Sequence, residues 1–135
     1  MSTPNTTNQY LLLSRGPHWD KGLSPDQLRD LMSRVMAWFV GLQAQGKVKA
    51  GQALGPEGRT VSGRLGRGAS DGPFVESKEA IGGYLLVEAD SLEEAVAIAK
   101  SCPTVEHGIT IEVRPVLEEC PIFKRVREEL ALATA

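Results

Sequence analysis

Asp71-Gly72-Pro73-Phe74-Val75-Glu76-Ser77-Lys78-Glu79, followed by Ile81-Gly82-Gly83-Tyr84, is the stretch whose residue types suit chemistry rather than packing. An aspartate that opens a turn ordinarily accepts a hydrogen bond from the N–H two residues on. Here that residue is Pro73, which has no N–H. The Asp71 carboxylate therefore reaches the Phe74 N–H or leaves the turn to face a cavity. Pro73 fixes its own φ and holds Gly72 extended, so the turn is stiff and suits a pre-positioned carboxylate. In the plainer alternative, Asp71 caps the turn and Phe74 plugs the core.

Other side chains offer partners for such a carboxylate. Glu76 and Lys78 share a side of an extended segment, where they pair in solvent or rim a cavity mouth. Gly82 and Gly83 open a strand, as a bulge or as room for a ligand to approach the backbone. Tyr84 shares a strand face with Leu86 and Glu88; its hydroxyl suits a bound anion and its ring suits a dimer interface equally well. Arg114, on one face with Thr110 and Glu112, holds a carboxylate bidentately or pairs with Glu112 or Asp71. His18, in a loop after the first apolar run, is the natural acid/base candidate, although a lone loop histidine is often only solvated. Asp71 and His18 are thus the candidate catalytic pair. Gly72, Pro73, Phe74, Glu76, Lys78, Gly83, Tyr84 and Arg114 are the candidate ligand-binding set.

Regular elements flank this stretch. Residues 1–8 are polar and expected to be disordered. Tyr10-Leu11-Leu12-Leu13 reads as a central strand. Ser24-Pro25-Asp26-Gln27 is a capping box with proline at the first helical position. It opens a helix striped by Leu28, Leu31, Met32, Val35, Phe39 and Leu42 and stopped by Gly46. Met36, Trp38 and Val40 lie off that stripe. Lys47–Leu54 alternates as a strand, with Arg59–Leu65 as its expected hairpin partner. Gly83–Ala89 is a strand, and Ser91 or Asp90 caps a second helix that ends at Pro103. Ile109–Val116 alternates with apolar residues on odd positions. Residues 118–135 form an extension expected to be a short helix with Ile122, Val126 and Leu130 inward. Strand, helix, strand with hairpin, strand, helix, strand specifies an α+β, ferredoxin-like βαββαβ antiparallel sheet with both helices on one face. The uncovered face calls for a partner, most simply a second copy.

Composition removes several function classes. At 135 residues, 41% hydrophobic and 24% charged, the chain is one globular domain, here residues 9–117, between the two tails. A net charge of -2 with no clustered basic patch argues against nucleic acid; Arg59, Arg64 and Arg67 read as solvated. No apolar run approaches a membrane span or a secretory signal, which points to the cytoplasm and to Cys102 and Cys120 as reduced thiols, Cys102 in the core. The cysteines and histidines at 18, 102, 107 and 120 have no zinc spacing, so neither metal nor cofactor is expected. Gly63, Gly66 and Gly68 do not join a strand to a helix, so they are no nucleotide loop.

The motifs Asp71-Gly72-Pro73-Phe74-Val75-Glu76-Ser77-Lys78-Glu79, Ile81-Gly82-Gly83-Tyr84 and Glu112-Val113-Arg114-Pro115-Val116 resemble those of DGPF proteins in the YCII-related group, over roughly residues 10–116. The resemblance implies a dimeric α+β barrel whose two ferredoxin-like sheets enclose a cavity. It also implies a bacterial source and, for some members, association with extracytoplasmic-function sigma factors. Founding members carry a histidine in the first helix, proposed to pair with an aspartate. Arg34-Val35-Met36-Ala37 stands there instead, so that dyad does not transfer. The functional expectation is a homodimer with a small-molecule pocket, enzyme-like with acid/base chemistry near Asp71. The alternatives are a non-catalytic ligand-sensing or partner-binding module tied to transcription, and a purely structural dimer with a filled interior.

Overall fold

The computed structural model describes residues 6–16, 19–61, 63, 69–71 and 81–134. Four strands form an antiparallel sheet: β1 (Thr6–Arg15), β2 (Val48–Ala53), β5 (Ile81–Glu88) and β6 (Thr110–Leu117). Their order is β2-β5-β1-β6, so the first strand is central, as its unbroken apolar run requires. Together with α1 (Pro25–Ala44) and α2 (Leu92–Lys100), this is the ferredoxin-like arrangement. A 3-10 turn over Pro103–His107 follows α2, and α3 (Pro121–Thr134) ends the chain.

Helix boundaries follow the local chemistry. The Ser24 hydroxyl accepts from Gln27 N–H at 3.1 Å, and the Gln27 side chain accepts from Ser24 N–H at 2.8 Å. At the other end, Gly46 adopts φ +71°. Gly46 N–H donates to Gln43 and Lys47 N–H to Leu42, the paired bonds of a Schellman stop. Ser91 caps α2 by accepting from Glu94 N–H at 3.0 Å.

One core joins the layers. Tyr10 and Leu12 of β1, Val87 of β5, Leu42 of α1 and Ala95, Ile98 and Ala99 of α2 form a single buried cluster, with Ile111 and Val113 packed against it. Both helices therefore lie on one sheet face, and the odd positions of β6 point to them as the alternation predicts. Each fully buried Leu or Val here contributes about 1.5–3 kcal/mol of transfer free energy. On the opposite face Leu11, Leu13, Tyr84 and Leu86 are half-buried. Leu11 stands opposite Leu86 and Leu13 opposite Tyr84, a continuous apolar surface.

Three expectations need revision. Arg59–Val61 (β3) does not pair with β2; it pairs antiparallel with Ala69–Asp71 (β4) as a separate two-stranded ribbon. The edge of β2 next to the core is taken by β5. β1 begins at Thr6, inside the stretch expected to be disordered. Thr7 Oγ1 donates to Val116 C=O at 3.0 Å, and Ala89 N–H donates to Asn8 C=O, which ties this segment to β6 and β5. Finally, residues 121–134 are helical, but Ile122, Val126 and Leu130 are 61%, 43% and 61% exposed. The sheet's helix-bearing face is already covered by α1 and α2, which leaves that stripe outside the core.

Candidate functional site

A cavity of about 640 Å³ lies between α1 and the helix-bearing face of the sheet. Its floor is Leu12 and Ser14 of β1, Gly83 and Leu85 of β5, and Ile111 of β6; Met32, Val35 and Trp38 of α1 form its roof. Trp19 closes one side from the β1–α1 loop, Leu54, Gly55 and Pro56 another, and Cys102, Thr104 and Ile109 a third. Arg15, Gln52, Gly82 and Tyr84 also line it. Side chains at Arg15, Gln52 and Tyr84 alternate to the other sheet face, so the cavity reaches the sheet end where β1 stops and β5 starts.

Local structure builds that end. Ser14 pairs with Gly83 but Arg15 pairs with Ile81, so Gly82 is an extra residue in β5, a bulge of the kind that re-aims neighbouring side chains. A Cβ at Gly83 would come within 3.0 Å of Gln52 O on β2. The absence of a side chain there lets two strands meet. A Cβ at Gly82 would approach nothing nearer than Ser14 O at 4.0 Å, so its open side faces space.

Two features fix the walls. The Trp38 indole N–H donates to Ile98 C=O at 3.2 Å and to Ser101 Oγ at 2.8 Å, which locks the ring against the end of α2. Arg15 Nη2 donates to Glu112 Oε1 at 2.6 Å, and Arg114 Nη1 donates to Glu112 Oε2 at 3.2 Å. Arg15 Nε is buried and has no hydrogen-bond partner among the described residues. Cys102, a free thiol and a buried core residue, sits 3.2 Å from Thr104 Oγ1.

The sequence-derived candidates fall into three groups. Gly83 and Tyr84 line the cavity. Arg114 does not line it; its side chain is 68% exposed and bonded to Glu112. Asp71 belongs to β4, opposite Arg59 in the separate ribbon, and its side chain lies outside the described residues. So do His18, Gly72, Pro73, Phe74, Glu76 and Lys78. Sequence reasoning did not reach Trp19, Met32, Val35, Trp38 or Arg15. Trp38's place off the main stripe of α1 was the available signal for the roof. It also looked for a cavity on the open sheet face, whereas the single-chain cavity is on the helix side.

Among the described residues, the lining carries no Asp, Glu, His or Lys, and no group of three or more His, Cys, Asp or Glu converges as a metal site. No described helix is long and apolar enough to cross a membrane.

No curated protein matches the chain. Among solved structures it is similar to 5-chloro-2-hydroxyhydroquinone dehydrochlorinase from Burkholderia phenoliruptrix AC1100, in complex with 2,5-dihydroxybenzoquinone. The identity is 19% and the TM-score 0.44, over 78% of this chain and 90% of that one, a likeness too distant to carry a functional argument. Residues 9–119 match the model of the YCII-related domain. That match takes in α1, α2 and all but the start of the four-stranded sheet and stops before α3; the chain belongs to the YCII-related domain family.

Proposed function

We propose that this protein binds an apolar, ring-sized small molecule in the cavity beneath α1, and that it works as a homodimer through the open face of its sheet. The observation that carries the reading is the cavity itself: about 640 Å³, walled by Trp19, Trp38 and aliphatic side chains. Sites for small organic ligands have this size and this mixture of apolar walls with a few polar groups. The apolar surface of Leu11, Leu13, Tyr84 and Leu86 supports the dimer, and free cysteines suit a reducing cytoplasm. In the enzyme-like form of this reading, Asp71 acts as acid or base near the bound molecule, with His18 as its partner.

A second reading, a non-catalytic sensing module, draws on one observation: the described lining has no carboxylate, imidazole or amine. Both readings require binding. The chain's two tryptophans both line the cavity, so their emission reports occupancy. Phenylnaphthylamine, an uncharged two-ring-system probe, should quench that emission saturably and raise the melting temperature. Saturation at 100 times Kd adds about 2.7 kcal/mol. A lack of saturable quenching contradicts both readings. If a turnover assay is found, loss of turnover in Asp71→Asn with unchanged binding favours the enzyme.

A further inference from the structure

We propose that the ligand carries an uncharged oxygen on its ring, a hydroxyl or a carbonyl, and that the Ser14 hydroxyl binds it; this rests on the cavity reading above. Strand alternation decides which lining side chains look into the cavity. Leu12 lies in the core beneath the helices, so Ser14, two residues on, points to the same side. Arg15, one residue further, points to the open face, as does Tyr84, which pairs with Leu13. The described side chains that do face the cavity include no Asp, Glu, Lys, Arg or His. An anion there would lose its water without gaining a counter-charge, so the chemistry suits a neutral ligand.

Three residues of the lining carry a hydroxyl: Ser14, Tyr84 and Thr104. Tyr84 faces the other way, and Thr104 Oγ1 has a partner in Cys102 Sγ at 3.2 Å. No hydrogen bond joins the Ser14 hydroxyl to another described residue. Across the ladders Ser14 stands between Gly83 of β5 and Ile111 of β6. Gly83 brings no side chain, so the approach to the hydroxyl is open on that side. Above, on α1, the Trp38 indole N–H is already used by Ile98 and Ser101, which leaves its ring as an apolar wall. A ring packed against Trp38 and Val35 thus finds in Ser14 a partner for one oxygen. A serine hydroxyl both donates and accepts, so it serves a phenol or a carbonyl.

The test displaces bound phenylnaphthylamine with naphthol or with methylnaphthalene substituted at the same ring position. These competitors have nearly the same shape and differ in hydroxyl against methyl. Ser14→Ala should weaken naphthol about threefold to tenfold and leave methylnaphthalene within about twofold. Thr104→Val should leave the ratio of the two affinities unchanged. Equal effects on both competitors in Ser14→Ala, no effect on either, or a ratio that changes with Thr104→Val instead, overturn the assignment. Naphthol that fails to displace a probe that does bind overturns it too. If Ser14→Ala does not fold, Ser14→Cys, which nearly keeps the shape but has a far weaker donor, carries the same comparison. Failure of phenylnaphthylamine to bind the wild-type protein is a different result: it removes the cavity reading itself.

Discussion

Arg15 and Glu112 meet across the β1–β6 ladder with 2.6 Å between Nη2 and Oε1, yet Nε of the same guanidinium is buried without an acceptor among the described residues. Arg114 reaches the other oxygen of Glu112 at 3.2 Å from a far more exposed position. The two arginines therefore differ in what their removal leaves behind. Arg15→Ala strips a half-buried carboxylate of its closer partner and should lower stability by about 1–2 kcal/mol. Arg114→Ala should stay within about 0.5 kcal/mol. Urea denaturation with an unchanged m-value measures both; equal effects contradict the asymmetry.

The two glycines that open β5 should respond in opposite ways. Gly83→Ala pushes a methyl to within 3.0 Å of the β2 backbone and should cost about 1–3 kcal/mol. Gly82→Ala meets open space at a position without positive φ and should be neutral or stabilise by up to about 1 kcal/mol. Because Gly82 lines the cavity, its alanine variant should also weaken probe binding. A destabilised Gly82→Ala with intact binding would show that the bulge, not the cavity, needs this glycine.

Homodimerisation through the open sheet face predicts a sedimentation mass of two chains at micromolar concentration. The buried area should exceed about 1,000 Å². Leu13→Glu places a charge in the middle of the Leu11, Leu13, Tyr84 and Leu86 surface and should yield monomers that keep their helical circular dichroism. A wild-type monomer contradicts the dimer; a Leu13→Glu dimer places the interface elsewhere, and the exposed Ile122, Val126 and Leu130 stripe of α3 is then the next surface to mutate.

Acid stability has a local source in the pair that joins β2 to α2. The hydrogen bond from Lys47, aided by its charge, holds the Glu94 carboxyl below its ordinary 4.5, against a smaller opposing effect of burial. A carboxyl whose pKa is lowered by folding stabilises the fold above its unfolded pKa, and that stability is lost as pH falls through the folded value. Melting temperature should therefore drop less steeply below about pH 4.5 in Glu94→Gln than in the wild-type protein. At neutral pH Glu94→Gln should melt slightly lower, since the pair is partly exposed and such pairs contribute little. Parallel curves across the acid range contradict this assignment.

The parts of the fold governed by local chemistry were legible in the sequence. The Ser24 capping box, the Gly46 stop and the alternation of Ile111 and Val113 each depend on residues a few positions apart, and each is where the pattern put it. What depends on distant packing was not legible. Nothing near Arg59 specifies Ala69–Asp71 as its partner rather than β2. The stripe of α3 reads like any buried helical face until the sheet is seen to be covered already. The site divided in the same way. Gly83 and Tyr84 stood out because glycine and tyrosine at a strand start are unusual; both line the cavity, and Gly83 is explained by the approach of β2. Trp19, Val35, Trp38 and Arg15 come together only through tertiary structure, and three of the four resemble ordinary core or loop residues in one dimension.

The central claim is a ligand cavity under α1, and a two-dimensional NMR titration with phenylnaphthylamine tests it most directly. Saturable shifts at the Trp38 indole N–H and at the amides of Gly82 to Leu85 are predicted, with α3 and the Leu11 and Leu13 amides undisturbed. Shifts confined to α3 or to the open sheet face, or no saturable shifts at all, would contradict the account.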